Sequence, residues 1–257
     1  MVEVTEGLFP ATAVALRAGK KFRRADSKAD LVTLMRYVWS NIPKDTAALD
    51  VGANSGLFTQ PFTEHFAKVV AVEPNLERAN FLRRAFGERA SVLCAACSAT
   101  SGVEQLAVPI AEGGAALHSL GSIGKDNVDE FQRARGNVRL VTSLTAVTTI
   151  DAILARLGAK FGLIKIDVEG HEGSVLDGAR TTLSGTDRPA LFIEIERHHG
   201  PDALETFRKV AGAGYQCLAV NRGALEPCED EGAFLAAQAN PKVVNYLFVP
   251  RGMPPPA

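Results

Sequence analysis

The feature that most constrains the fold is a glycine-containing stretch at residues 48–59, with the sequence ALDVGANSGLFT. A short apolar run ends at Asp50, Gly52 and Gly56 follow, and an amphipathic pattern begins after them, which predicts a strand, a tight turn and a helix. Gly52 lets the chain turn without a Cβ, and Gly56 lets the following helix lie close to the strand. The stretch therefore predicts an α/β domain that holds a nucleotide-type ligand against backbone amides.

A second acidic residue supports a nucleotide-type ligand. The apolar segment 68–72 ends at Glu73, about twenty residues after the loop, where a carboxylate can accept hydrogen bonds from both ribose hydroxyls. The spacing D-x-G-x-x-x-G departs from the dinucleotide fingerprint G-x-G-x-x-G, because Ala53 and Asn54 stand where a further glycine is needed. Two alternatives stay open, namely binding of NAD and a doubly wound domain whose turn is glycine-rich for structural reasons alone.

Composition favours one large α/β domain with additions. The chain has 257 residues, is 46% apolar and carries a formal charge of −1, so no overall field attracts nucleic acid or an anionic membrane. We find no secretion signal and no apolar window long enough for a membrane span, and we expect a cytoplasmic protein. Cys94-x-x-Cys97 has no matching second pair, which favours structural use over a zinc site.

The hydrophobic pattern divides the chain into three parts. Residues 1–44 are expected to form an amino-terminal helical segment, with an apolar stripe through Leu31, Leu34, Met35, Val38 and Trp39. Residues 45–250 contain seven predicted strands with intervening helices, which indicates a doubly wound, Rossmann-like α/β sheet, and 251–257 form a flexible tail. Residues 98–148 interrupt the rhythm and predict an inserted hairpin or loop region that binds the acceptor.

Carboxylates follow several of the predicted strands. Because ligands of open α/β sheets lie outside the carboxyl ends of the strands, these acids are expected to face one crevice: Asp50, Glu73, Asp167, Glu169 and Glu194. The structural alternative is that each acid caps the helix that follows its strand.

Four motifs together resemble the FkbM-type S-adenosylmethionine-dependent methyltransferases. The resemblance covers about residues 45–200, which is the length of one domain. The motifs are Asp50-Val51-Gly52-Ala53-Asn54-x-Gly56, Val72-Glu73-Pro74, Thr149-Ile150-Asp151 and Lys165-Ile166-Asp167-Val168-Glu169-Gly170-His171-Glu172. The resemblance implies a class I methyltransferase sheet, S-adenosylmethionine as cofactor, and methyl transfer to a hydroxyl of a saccharide, glycolipid or natural product. The predicted cofactor-binding residues are Asp50, Gly52, Ala53, Asn54, Gly56, Phe58, Glu73, Pro74, Ala96 and Asp167.

The catalytic prediction centres on the end of the fourth strand. His171 has an ordinary pKa near neutrality and is the first candidate for the base, with His198, His199 and Asp167 behind it. Lys165 and Glu169 complete the predicted catalytic set, and Lys165 shares a strand face with Asp167. A first-turn helix position exposed to solvent is the alternative for His171.

A metal ion is a further prediction. Asp167 and Glu194 are similar in position to carboxylates that hold magnesium in catechol-type O-methyltransferases, and Mg²⁺ prefers oxygen ligands. The pair Lys165 and Asp167 could instead be purely structural.

Other functions stay open. An N-methyltransferase is disfavoured, because the chain has Asp167-Val168-Glu169-Gly170 where such enzymes commonly carry (D/N)-P-P-(Y/F). A non-catalytic S-adenosylmethionine-binding scaffold subunit is the alternative from a different class. The expected partners are a small-molecule or glycan acceptor and further copies of the chain, with no nucleic acid.

Overall fold

A computed structural model of the chain describes residues 25–110, 121–123, 139–197 and 201–253. Its helices are α1 (Ala25–Asn41), α2 (Thr59–His65), α3 (Leu76–Phe86), α4 (Ile150–Leu157), α5 (Glu172–Asp177), α6 (Arg180–Ser184), α7 (Pro201–Gly212) and α8 (Glu231–Gln238). Its strands are β1 (Ala47–Val51), β2 (Lys68–Val72), β3 (Ser91–Leu93), β4 (Ala96–Cys97), β5 (Gly102–Ile110), β6 (Ser122–Ile123), β7 (Arg139–Thr148), β8 (Phe161–Ile166), β9 (Ala190–Glu194), β10 (Tyr215–Asn221), β11 (Ala224–Cys228) and β12 (Asn245–Pro250).

The main sheet has eight strands in the order β11-β10-β12-β9-β8-β1-β2-β3. The run from β9 to β3 is parallel, whereas β12 pairs antiparallel with both β9 and β10. This is the doubly wound, Rossmann-like sheet that the strand pattern predicted, with one strand more than the seven expected.

The additional strand is β11, which forms a hairpin with β10. Asn221 pairs with Ala224, so the loop contains only Arg222 and Gly223, both with positive φ (48° and 89°). Two consecutive residues of this kind form the tight turn that joins twisted antiparallel strands. The sequence ALEPC of β11 contains a glutamate and a proline, which is why its pattern did not predict a strand.

Helices cover both faces of the main sheet. Apolar residues of α4, α5, α7 and α8, among them Ile150, Val175, Phe207 and Phe234, form one buried cluster with one face of the sheet. Leu34, Met35, Phe62, Leu82 and Phe86 of α1, α2 and α3 form the other cluster. Each fully buried side chain of this size contributes about 1.5–3 kcal/mol, so the two layers fix the sheet and the loops at its edge.

The amino-terminal stripe differs from the expectation at one residue. Trp39 is 41% exposed, whereas Tyr37, which the predicted stripe left out, is buried. The other four predicted residues of the stripe are buried on α1. Residues 1–24 of the predicted amino-terminal segment lie outside the described residues.

Residues 96–148 contribute a second sheet, in the order β4-β7-β5-β6. Its main unit is the antiparallel pair β5–β7, which runs in register from Gly102 opposite Val147 to Ile110 opposite Arg139. The third strand was expected at 91–96, but β3 ends at Leu93 and Ala96–Cys97 instead pair with β7. The insertion therefore begins directly at the edge of the predicted ligand crevice.

The helix expected through 175–183 is divided into α5 and α6. Gly178 lies between them: a Cβ here would overlap the backbone carbonyl oxygen of Ser98, and Gly178 O accepts a hydrogen bond from Asp151 N rather than from a following helical turn. Among the helices of the described segments, none is both long and apolar enough to cross a lipid bilayer.

Candidate active site

The glycine loop after β1 packs against the segment that follows β8. The amides of Gly52 and Ala53 both donate to Val72 O, at 2.9 and 3.1 Å. Gly52 has φ +75°, and a Cβ on it would overlap the carbonyl oxygen of Asp167. Gly52 is therefore required both by the turn and by the contact between the two loops.

Gly56 has a similar steric role, but toward a different helix from the one expected. Its φ is +81°, and a Cβ would lie 2.5 Å from the ring of Phe86 on α3, with Leu82 also close. The helix that Gly56 allows to approach is therefore α3 rather than α2. Asn54, between the two glycines, also has a positive φ of 46°.

Glu73 is held at the end of β2 by the glycine loop and by the start of α3. Its Oε2 accepts from Asn54 N and its Oε1 from Asn75 N, both at 2.8 Å. Burial raises the pKa of the Glu73 carboxyl, and the two amide hydrogen bonds partly offset this. A carboxylate fixed at both oxygens, with lone pairs left over, suits a pair of ribose hydroxyls.

Lys165 is buried behind the loop. Its Nζ donates to Gly52 O at 2.8 Å and lies 3.3 Å from Asp50 Oδ1 and 3.2 Å from Asp167 Oδ2. Burial disfavours its charge, but the carboxylates of Asp167 and Asp50 outweigh burial and raise the pKa of Lys165 to about 12. The ammonium therefore links the glycine loop, β1 and the end of β8.

Asp50 and Phe58 stabilise this arrangement of Lys165 and the glycine loop. Asp50 has no exposed surface, and its Oδ2 accepts a hydrogen bond from Thr59 Oγ1. The Phe58 ring centroid lies 5.4 Å from Lys165 Nζ, in a cation–π contact. Both residues lie beneath the loop, so their contacts order it rather than face the cavity.

Three carboxylates meet beyond Lys165. Oxygen atoms of Asp167, Glu169 and Glu194 all lie within 4.8 Å of one another. Burial opposes ionisation of Asp167, but Lys165 and a hydrogen bond with Glu194 hold the pKa of Asp167 below its usual value. Burial and neighbouring carboxylates raise the pKa of Glu169 to about 9 and raise the pKa of Glu194 well above its usual value. The cluster therefore has more acid groups than Lys165 neutralises, and the raised pKa of Glu169 favours its protonated form at neutral pH.

The loop after β8 is held by Glu172. The Glu172 carboxylate accepts from Gly170 N at 3.0 Å and from Val168 N at 3.3 Å, and burial raises the pKa of Glu172 to about 7. Glu169 and Gly170 both have positive φ, 54° and 90°. This bend places His171 at the N-cap position of α5, where its Nε2 lies 2.9 Å from Ser98 Oγ. His171 is partly buried and faces the cavity, so the exposed alternative does not apply.

A cavity of about 150 Å³ connects these groups. Of the predicted residues, those that line it are Gly52, Asn54, Glu73, Pro74, Ala96, Asp167, Glu169 and His171. Those that lie outside the lining are Asp50, Ala53, Gly56, Phe58, Lys165 and Glu194. His198 and His199, named as alternative bases, lie outside the described residues.

Several lining residues were not predicted. Asn75 follows Glu73-Pro74 and belongs to the same turn, so its place could have been read from that motif. Leu106, Val108 and Ile123 come from the second sheet, and the sequence has no local signal for their position. Ser98, the partner of His171, was also missed, since the two are 73 residues apart.

Comparison with known proteins identifies the family. The family model described as the methyltransferase FkbM domain matches residues 50–217, which is more than half of the chain. The chain belongs to the FkbM methyltransferase family. It is therefore an S-adenosylmethionine-dependent methyltransferase.

Solved structures of other methyltransferases are similar in outline to this FkbM-family protein. A TehB-like S-adenosylmethionine-dependent methyltransferase from Corynebacterium glutamicum is 12% identical, with 92% of each chain covered and a TM-score of 0.43. An O-methyltransferase from Bacillus cereus is 10% identical, with 93% of this chain and 87% of that chain covered and a TM-score of 0.42. A putative O-methyltransferase from Klebsiella pneumoniae is 10% identical, with 93% and 86% covered and a TM-score of 0.44. Among curated proteins, none matches the chain.

Proposed function

We propose that this FkbM-family protein is an O-methyltransferase that acts on a hydroxyl of a saccharide, glycolipid or natural-product acceptor. The observation that carries the proposal is the position of His171 and the carboxylates Asp167 and Glu169 on the cavity wall next to the glycine loop. A hydroxyl is a weak nucleophile whose proton must leave as the new bond forms, and the His171 imidazole is the group on this wall that can accept it.

The reaction is a direct displacement. A lone pair of the acceptor oxygen forms the bond to the methyl carbon, the carbon–sulfur bond breaks, and its electron pair stays on sulfur as S-adenosylhomocysteine. The acceptor proton passes to a base, for which His171 is the first candidate. Because the sulfonium methyl is already electrophilic, the protein contributes mainly position and proton removal.

Ser98 orients His171 in this scheme. The 2.9 Å contact between Ser98 Oγ and His171 Nε2 fixes the ring relative to the start of the second sheet. A base oriented by a second polar group is the usual arrangement for efficient proton transfer. Ser98 thus acts as a positioning residue.

We also propose a divalent cation, Mg²⁺, at the carboxylate cluster. Asp167, Glu169 and Glu194 offer three hard oxygen ligands in one place, which is a donor set that suits Mg²⁺. A bound cation would supply charge to hold the acceptor oxygen near the sulfonium methyl. The cation would compete with the proton that the raised pKa of Glu169 favours.

The first experiment is calorimetric titration of S-adenosylhomocysteine into the protein, with Mg²⁺ and again with a chelator. Glu73→Ala should weaken binding about 10- to 100-fold, as expected for the loss of charge-assisted hydrogen bonds to the ribose. Glu88→Ala, which removes an exposed acid from the turn after α3, is the matched control and should bind normally. Equal affinity with and without Mg²⁺ would leave the cation without a role in cofactor binding, and the same comparison on turnover decides its role in catalysis.

The second experiment is an acceptor screen, beginning with saccharides. We expect turnover with a hydroxyl acceptor, and His171→Ala should lower kcat about 10²- to 10⁴-fold with the S-adenosylhomocysteine affinity unchanged. Turnover of amine acceptors alone would indicate an N-methyltransferase, and cofactor binding without turnover would indicate a scaffold subunit. The cytoplasmic location, the lack of a nucleic-acid partner, homo-oligomerisation and the acceptor-binding role of 98–148 stay predictions from the sequence.

A further inference from the structure

The cofactor cavity has an apolar end and an acidic end. The apolar end is lined by Ala96, Leu106, Val108 and Ile123, all of them buried residues of the second sheet. The acidic end is lined by Asp167, Glu169 and His171, which follow β8. Strand order separates the two ends, because β8 lies on one side of β1 while β2 and β3 lie on the other.

Glu73 fixes the direction of the cofactor between these ends. It stands at the end of β2, between the glycine loop after β1 and residues 95–97 after β3. With the ribose on Glu73 and the sulfonium methyl toward the proton-accepting groups after β8, the base must extend toward the β3 side. The surface that it meets there is the apolar cluster of the second sheet.

That cluster lies next to the cofactor-binding turn. Ala96, Leu106, Val108, Ile123 and Val147 form a small hydrophobic core of their own. On the neighbouring strand, Thr145 Oγ1 donates to Pro74 O at 3.4 Å, next to Glu73. A pre-formed apolar wall of this kind suits the flat face of a purine.

Leu106 occupies a special place in the wall. It is 3% exposed and borders both the cofactor cavity and an outer cleft lined by Asn75, Leu76, Glu77, Asn80 and Ser143. Leu106 therefore stands between the cofactor cavity and the outer cleft, so its side chain limits how far the base can reach.

We propose that the inserted sheet is the adenine-binding wall of the cofactor site, and that Leu106 closes the base end and so determines the size of base that the enzyme accepts. The inference rests on the S-adenosylmethionine cofactor. Under this assignment the β5–β7 pair recognises the cofactor, in place of the acceptor-binding role that the sequence predicts for residues 98–148, and the acceptor enters at the acidic end, beside Asp167, Glu169 and His171.

Enlarged cofactor products test the inference by a gain of binding. The ligands are S-adenosylhomocysteine and two analogues with a benzyl group, one on the N6 amine and one on a 2-amino group of the base. The wild-type protein should bind S-adenosylhomocysteine and reject both analogues. Leu106→Ala should bind at least one analogue about tenfold or more better than the wild-type protein does, and S-adenosylhomocysteine about tenfold more weakly.

The control is Leu144→Ala. It makes the same substitution on the same β5–β7 pair, but the Leu144 side chain is 79% exposed. It should bind all three ligands as the wild-type protein does. If Leu106→Ala does not fold, Leu106→Val replaces it in the test. Because valine leaves a smaller opening, the increase in affinity for the analogues should be smaller. If the folded Leu106 variants bind neither analogue better than wild type, the inference is overturned. If the wild-type protein does not bind S-adenosylhomocysteine at all, the cofactor assignment fails instead.

Discussion

Replacing Lys165 by methionine should unfold the protein at a much lower denaturant concentration. The change keeps the length of the side chain but removes the ammonium that contacts Asp50, Asp167 and Gly52 O. Asp50 would keep its hydrogen bond from Thr59 but would have a buried charge without a cation. Removing one partner of a buried pair costs about 3–5 kcal/mol, mainly because the other charge is left uncompensated.

The magnitude can be checked by urea unfolding and by thermal melting. For a chain of this size, a loss of 3–5 kcal/mol corresponds to a fall in Tm of roughly 6–20 °C. Lys160→Met is the matched control, because Lys160 pairs with Asp187 at 2.7 Å while 63% of its side chain is exposed. An exposed pair of this kind contributes about 1 kcal/mol or less.

A double variant separates the charge effect from packing. Lys165→Met combined with Asp50→Asn removes both charges of the more deeply buried of the two pairs, so it should recover part of the lost stability. If Lys165→Met costs no more than Lys160→Met, the buried ammonium does not hold the two loops together and the reasoning is refuted.

Three further predictions follow from the same geometry. Gly52→Ala should lower S-adenosylhomocysteine affinity more than tenfold in calorimetry, because the new Cβ meets the Asp167 carbonyl and alanine resists the positive φ; wild-type affinity would contradict this contact. Asp151→Ala should cost about 1–2 kcal/mol in urea unfolding at pH 7, because the carboxylate accepts the Thr181 and Thr182 amides at the start of α6. Those hydrogen bonds outweigh the effect of burial and hold the pKa of Asp151 below its usual value, so the difference from wild type should shrink as the pH falls below about 4 and not as it rises. Ser98→Ala should lower kcat with cofactor affinity unchanged and move the pH–rate profile, whereas Ser98→Thr should restore both; an unaltered profile in Ser98→Ala would separate Ser98 from the base.

The parts of the fold that the sequence predicted depend on local patterns. β1, β2 and β8 are short apolar runs buried on both faces, and acids or glycines end them, so strand and turn are both visible within a few residues. The carboxyl ends of such strands necessarily meet at one edge of a parallel sheet. This is why Glu73, Asp167 and His171 could be assigned to one cavity from their positions alone.

The parts that the sequence did not predict depend on contacts between distant segments. Asp50 has the position of a ligand-binding acid, but it forms a buried ion pair with the ammonium of Lys165, more than a hundred residues later. Between α5 and α6, Gly178 lies against the carbonyl of Ser98, so no side chain fits at this position. The two residues of each contact belong to segments that are far apart in the chain, and hydrophobic periodicity contains no information about such pairs.

The same contacts explain why the cofactor loop and the acids act as one unit. Gly52 lies directly against the Asp167 backbone, and Lys165 contacts both loops, so neither can move without the other. In the proposed transfer to a hydroxyl, positive charge would leave sulfur and develop on the acceptor oxygen until its proton departs. The Asp167 carboxylate, whose ionised form Lys165 favours, lies beside the glycine loop and would stabilise this displaced charge without first having to reorient. An ion pair that stabilises the fold would therefore also fix the electrostatic field of the reaction, and loss of Lys165 should lower turnover even at temperatures where the variant stays folded.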